Sequence, residues 1–119
     1  MNLHEFQSKA LMRGLGIRVL PGVVCHNPNE VEAAAKQLGG APCVIKAQVL
    51  AGGRGKAGGI KFAKTPQEAR IIGEKIIGMT LTTKQTGAKG KVVHRVYVEE
   101  ACSIGRELYL SLLIDRSKQ

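Results

Sequence analysis

Val44-Ile45-Lys46-Ala47-Gln48-Val49-Leu50-Ala51-Gly52-Gly53-Arg54-Gly55-Lys56-Ala57-Gly58-Gly59 begins with the period of a strand and runs into a loop. Ile45, Ala47 and Val49 fall on one face, while Lys46 and Gln48 point the other way. Five glycines follow within the eight residues Gly52 to Gly59, with Arg54 and Lys56 between them. Such a backbone can bend freely and bring bare N–H groups close to a ligand. Amides that wrap oxygens, two loop cations and a lysine on the preceding strand together suit a polyphosphate.

Two known phosphate motifs do not account for this stretch. A P-loop needs glycine, four residues and then Gly-Lys-Ser/Thr, but Leu50 stands at the first glycine and Ala57 follows Lys56. Gly53, Gly55 and Gly58 match G-x-G-x-x-G, which must open a helix. Here Gly58-Gly59 leads instead into Ile60-Lys61-Phe62-Ala63, which alternates like a second strand. The expected unit is strand, glycine flap, strand. A hairpin loop whose glycines serve only to turn the chain is the bland alternative.

With 119 residues, 44% of them hydrophobic, the chain suffices for one small domain, and no stretch approaches the roughly 20 apolar residues of a membrane span. Cys25, Cys43 and Cys102 are odd in number and share no C-x-x-C spacing, so buried or incidental thiols in a reducing compartment are expected. The formal charge of +9 arises from 18 Lys+Arg against 9 Asp+Glu. Aromatics amount to 3%, there is no Trp, and the basic residues are scattered, which leaves little for base stacking. A nucleotide fits this composition better than a nucleic acid.

Helix signals recur along the chain. Asn2 with Glu5 reads as a cap and its third position, with Leu3, Phe6, Ala10 and Leu11 on one side and Gly14 and Gly16 as the stop. His4 within this helix is expected at the surface. Ile17 to Cys25 reads as an extended connection or short strand. Asn27-Pro28-Asn29-Glu30 starts a second helix ahead of Val31, Ala34, Ala35 and Leu38, and Thr65-Pro66-Gln67-Glu68 starts a third ahead of Ala69, Ile72 and Ile76. Gly39-Gly40 and Gly78 end them. Further strands are expected over Leu81 to Gln85, over Val92 to Glu99 with His94 on the valine face, and over Arg106 to Ile114. Asp115-Arg116-Ser117 is a turn after which more chain is expected. Helices on one side of a largely antiparallel sheet make an α+β fold.

Lys46-Ala47-Gln48, the run Ala51 to Gly59 and the opening Met1-Asn2-Leu3-His4-Glu5-Phe6-Gln7 resemble the beta-subunit family of succinyl-CoA synthetases, which are ATP-grasp ligases. The resemblance runs from residue 1 to about Arg116 and covers only the opening part of the family's longer chain; Phe6 stands where the family usually has tyrosine. It implies a nucleotide between two lobes, with residues 1–20 as an N-terminal helix and connection, 21–101 as the smaller lobe and 102–119 as the start of the larger one. It also implies that Lys46 reaches the phosphates, that Gly53, Arg54 and Gly55 cover them, that the strand ending at Glu99 and the turn through Cys102 hold the adenine by backbone groups, and that Glu107 accepts from the ribose. The family joins succinate and coenzyme A at the expense of ATP or GTP, in the tricarboxylic acid cycle, through a phosphohistidine of an alpha subunit. Neither His4, His26 nor His94 is then that histidine, no catalytic residue falls in this chain, and the ligands of Mg2+ lie beyond residue 119. A cytoplasmic location is implied for a bacterial chain, or the mitochondrial matrix for a eukaryotic one. ATP against GTP stays open, with Leu20-Pro21 near the segment that influences it. A malate–CoA ligase and a non-catalytic basic nucleotide- or RNA-binding module remain the rival readings.

Overall fold

The structure, a computed structural model, describes residues 2–40 and 42–118. Its elements are helix α1 (Glu5–Gly14), strand β1 (Gly22–Cys25), helix α2 (Pro28–Gln37), strands β2 (Cys43–Ala47) and β3 (Ile60–Ala63), helix α3 (Pro66–Ile76), and strands β4 (Thr80–Leu81), β5 (Lys91–Val92) and β6 (Val96–Glu100). Four strands form an antiparallel sheet in the order β1-β6-β2-β3, and β4 pairs with β5 in a small second sheet.

Both interior helices begin as their sequences dictate. Asn27 Oδ1 accepts from the Glu30 N–H at 2.9 Å, and Thr65 Oγ1 accepts from the Glu68 N–H at 3.1 Å. Glu30 and Glu68 each reach back one residue beyond the cap, to the N–H of His26 and of Lys64, both at 2.7 Å. The prolines occupy the first turn, where their missing N–H costs nothing. Val31, Ala34 and Ala35 of α2 and Ala69, Gly73 and Ile76 of α3 turn inward. At Gly73 the two helices approach so closely that a Cβ would lie 3.0 Å from Val31 Cγ2. They pack on the sheet face made by Cys25, Cys43, Ile45, Ala47, Ala63, Val96 and Val98, all buried. Burying a side chain such as Ile45 contributes about 1.5–3 kcal/mol. Cys25 and Cys43 are free thiols of this core, and burial pushes the Cys25 thiol up to about 12, so it stays protonated and inert.

Alternation sends the remaining side chains of the central strands to the opposite face. Lys46 lies across from Tyr97 and Val44 across from Glu99 in the β2–β6 register, and Glu99 lies across from Gly22 of β1. A Cβ at Gly22 would overlap the Tyr97 ring. Helix α1 covers this second face, so the helices do not all lie on one side of the sheet.

Five expectations change. The N-cap of α1 is His4, not Asn2, and Glu5 is the first helical residue. Its inward stripe is polar, with Glu5 and Lys9 toward the sheet and Leu11 more than half exposed, because α1 meets a charged surface and not the apolar core. Residues 82–85 are not strand: Thr83 and Thr86 exchange side-chain and main-chain bonds, with the Thr83 N–H donating to Thr86 Oγ1 at 2.8 Å, which favours a turn over a ladder. Val92 to Glu99 is broken at His94, since Val93 bonds to Met79 and Gly78 while the Arg95 carbonyl accepts from Gln48. The chain changes sheets there, and His94 is exposed rather than seated among valines. Arg106 to Ile114 is no strand either. Its backbone has no partner strand among the described residues, and Leu108, Tyr109, Leu110, Leu112, Leu113 and Ile114 are 80–94% exposed.

Candidate nucleotide site

Residues 48–59 link β2 to β3 and form the glycine flap. The Gly59 N–H donates to the Arg54 carbonyl at 2.8 Å, Ala57 N–H to Gly53 at 3.2 Å and Gly58 N–H to Gly55 at 3.2 Å, which curls the loop on itself. Gln85 Oε1 takes the Gly52 N–H at 2.6 Å and ties the flap to the β4–β5 turn. Among the described residues, the N–H groups of Gly53, Arg54, Gly55 and Lys56 have no protein acceptor. Four consecutive free donors beside two cations are the elements of an anion-binding nest.

Gly53 has φ +79°, so it alone of these four requires glycine for its conformation, whereas a Cβ at Gly55 would meet nothing nearer than Ile60 Cδ1 at 4.0 Å. Gly53→Ala should therefore cost about 1–2 kcal/mol of backbone strain, and Gly55→Ala should leave thermal unfolding nearly unchanged. A melting comparison checks this pair; equal loss in both would contradict the loop geometry.

Beneath the flap, five charged side chains converge. Lys46 Nζ donates to Glu5 Oε1 at 2.9 Å and to Glu99 Oε1 at 2.7 Å. Arg54 Nη2 donates to Glu5 Oε2 at 2.8 Å and its Nη1 to the Ala47 carbonyl at 2.7 Å. Lys9 lies 3.3 Å from Glu5 Oε1, pairs with Glu99 Oε2, and stands 5.5 Å from the Tyr97 ring centre. Gln48 Oε1 accepts from the Phe6 N–H and fastens α1 to the loop after β2. Glu99 is 4% exposed, and Lys46, Arg54, Glu5 and Lys9 are each less than one-fifth exposed. Buried ion pairs cost desolvation that their attraction recovers only partly, so the cluster by itself is weak evidence for a net gain in stability.

The cluster shifts its own titration. Burial pushes Glu5 up, but hydrogen bonds from Lys46 and Arg54 and their charges outweigh it and bring its carboxyl down to about 2. For Lys9, burial and the Lys46 charge lower the pKa against the pull of Glu5. His4 is lowered by burial, Arg95 and Arg54. Because the folded Glu5 pKa lies below its ordinary value of 4.5, its contribution is complete above pH 4.5 and is lost as pH falls toward about 2. Its size is on the order of 3 kcal/mol. Glu5→Gln should flatten the acid limb of stability between those pH values; an unchanged acid limb would mean that Glu5 is not ion-paired.

Two open clefts flank the flap. One, of about 700 Å³, is lined by Asn2, Leu3, Glu5, Val49, Leu50, Ala51, Arg54 and Gln85. The other, of about 810 Å³, lies between Gly52–Ala57, Ile60 and Thr82–Gln85. Lys46 lines neither. Thus the structure brings together Lys46, Gly53, Arg54, Gly55 and Glu99, and adds Glu5, Lys9 and Gln48, which sequence reasoning missed. Glu5 was in view as part of the opening motif, but its distance in sequence from Lys46 hid the contact. Glu99 enters through its side chain: β6 lies between β1 and β2, and the Glu100 and Ala101 N–H groups go to Pro21 and Pro42. Cys102 is the first residue beyond these bonds. It and Glu107 are exposed, and Glu107 makes no hydrogen bond or ion pair among the described residues.

Residues 2–119 match the ATP-grasp domain family. The chain belongs to that family. It is 50% identical to the ADP-forming succinate–CoA ligase subunit beta of Bdellovibrio bacteriovorus over 98% of the chain and 30% of that protein. The subunit of the same name from Francisella tularensis subsp. novicida is 52% identical over 100% of the chain and 31% of that protein, and that of Myxococcus xanthus 48% over 98% and 30%. The ATP-grasp chain described here thus spans about 30% of the length of these relatives. A solved dinucleotide-forming acetyl-coenzyme A synthetase 1 from Ca. Korarchaeum cryptofilum superimposes with a TM-score of 0.67 at 20% identity, over 86% of this chain and 44% of that one. At that identity it supports the ATP-grasp fold alone.

Among the described residues no group of three His, Cys, Asp or Glu could hold a metal ion, and both carboxylates of the cluster are engaged by cations. No helix of the described residues is long and apolar enough to cross a membrane.

Proposed function

We propose that this chain is the nucleotide-binding part of a succinate–CoA ligase beta subunit, which in complex with an alpha subunit couples cleavage of ATP to thioester formation between succinate and coenzyme A. The observation that carries this reading is the run of four free flap amides, Gly53 to Lys56, beside Arg54 and Lys46. The relatives' names favour ATP over GTP. Residues 21–101 act as the smaller lobe, residues 1–20 as a helix and connection packed on it, and 102–119 as the start of a larger lobe. Lys46, Gly53, Arg54 and Gly55 take the phosphates, Glu99 orders Lys46, and Cys102 offers main-chain groups to the adenine. Glu107 takes the ribose once its segment is paired with further chain. Magnesium, held by residues outside this chain, would neutralise phosphate charge. A cytoplasmic bacterial enzyme is the matching setting.

Phosphoryl transfer asks a protein mainly for positioning and charge neutralisation. The amides and cations here supply part of each, so the chain alone should turn nothing over. The complete subunit with its alpha partner should form succinyl-CoA and ADP from succinate, coenzyme A, magnesium and ATP. Malate and GTP in the same assay separate the close alternatives. A folded complex that binds nucleotide but forms a thioester from no acid would overturn the ligase reading. A protein whose binding ignores millimolar Mg-ATP and falls steeply with salt would be a nucleic-acid binder.

A further inference from the structure

The carboxylate of Glu5 does what a phosphate group in this site would do. Its two oxygens take Lys46 and Arg54 at 2.9 and 2.8 Å, the lengths of charge-assisted bonds to an oxyanion. Glu5 and Arg54 line the 700 Å³ cleft, whereas Lys46 does not and is bonded to Glu5. A ligand entering that cleft therefore meets Arg54 and the Glu5 carboxylate to which both Arg54 and Lys46 are bonded. The element carrying Glu5 is able to yield: α1 has no fully buried residue, and apart from the ion pairs it is Gln48 that ties it to the sheet region, accepting from the Phe6 N–H at 3.2 Å and donating through Nε2 to Glu5 Oε2 at 3.4 Å.

We propose, resting on the nucleotide reading above, that Glu5 is a built-in phosphate surrogate. It bridges Lys46 and Arg54 in the free protein and is displaced by an oxyanion of the incoming polyphosphate. The surrogate keeps two neighbouring cations neutralised and ordered while the site is free. It also sets a threshold, because a ligand must bring enough negative charge to win both cations. Apparent affinity is reduced by the fraction of molecules in which Glu5 holds the site, and removing its charge lifts that reduction.

The test compares Glu5→Gln, Lys46→Ala and the parent in the complete protein, by calorimetric titration with ATP and with adenosine and by thermal unfolding. Glu5→Gln should melt earlier yet bind ATP about tenfold more tightly, with adenosine affinity unchanged. Loss of stability and gain of affinity in one variant is a combination that a merely structural glutamate would not give. Weaker or equal ATP binding by Glu5→Gln, with a parent that binds ATP and a Lys46→Ala that binds it more weakly than the parent, would overturn the surrogate alone. A parent that fails to bind ATP would overturn the nucleotide reading and the surrogate with it. Hydrogen exchange in the parent supplies a second readout without any variant: ATP should speed exchange in the first turn of α1, Glu5 to Ser8, and slowed exchange there would contradict displacement.

Discussion

Lys46→Ala should weaken ATP binding by the complete protein tenfold or more. The side chain is an ammonium with three donors, two of which go to Glu5 and Glu99. Each charge-assisted bond to phosphate is worth about 1.5–3 kcal/mol, and at about 1.4 kcal/mol per decade one such bond accounts for the loss. The fold should survive, because Lys46 projects from the sheet face opposite the apolar core formed by Ile45, Val98 and their neighbours. Removing the ammonium does leave Glu99 with Lys9 as its remaining cation, so a modest fall in melting temperature is expected. Calorimetric titration with equal affinity for mutant and parent would remove Lys46 from the site.

Glu99→Ala should have the largest effect on stability. Glu99 is 4% exposed in a central strand, bonded to Lys46 on one oxygen and paired with Lys9 on the other. Its removal leaves two partly buried ammonium groups to share Glu5, which already serves Arg54. Deleting one partner of a buried ion pair costs about 3–5 kcal/mol. Glu99→Gln should cost less, since an amide oxygen still accepts from Lys46 although the charge is gone. Denaturant unfolding of the three proteins checks the order parent, glutamine, alanine. An alanine variant as stable as the parent would mean that the cluster is solvated rather than buried.

Much of this molecule was legible in its residues. The caps Asn27 and Thr65, the prolines after them and the inward alanines gave α2 and α3, and alternation around Lys46 gave the strand before the flap. The flap itself could be read because five glycines in eight residues have few other uses. What was not legible depended on partners distant in sequence. Helix α1 was assigned an apolar inward face because periodicity weighs hydrophobicity, whereas its stripe answers to a charged surface that only the folded sheet creates. Residues 106–114 have the composition of a strand, but composition supplies no edge to pair with. The ion pairs of Lys46 were hidden for the same reason. Its counter-ions are 41 residues before it and 53 after it, and no local pattern couples them. The second carboxylate, Glu99, was nonetheless among the residues singled out by family resemblance, there for a backbone role, while its side chain pairs with Lys46 and Lys9.

The central claim, that the flap amides Gly53 to Lys56 are donors waiting for a polyphosphate, is tested most directly by following those four N–H signals by nuclear magnetic resonance while Mg-ATP is added. The geometry predicts that they shift together, that they become protected from exchange, and that Gly52 N–H, already held by Gln85, changes much less. Saturating ATP that perturbs residues elsewhere and leaves these four amides where they were would contradict it.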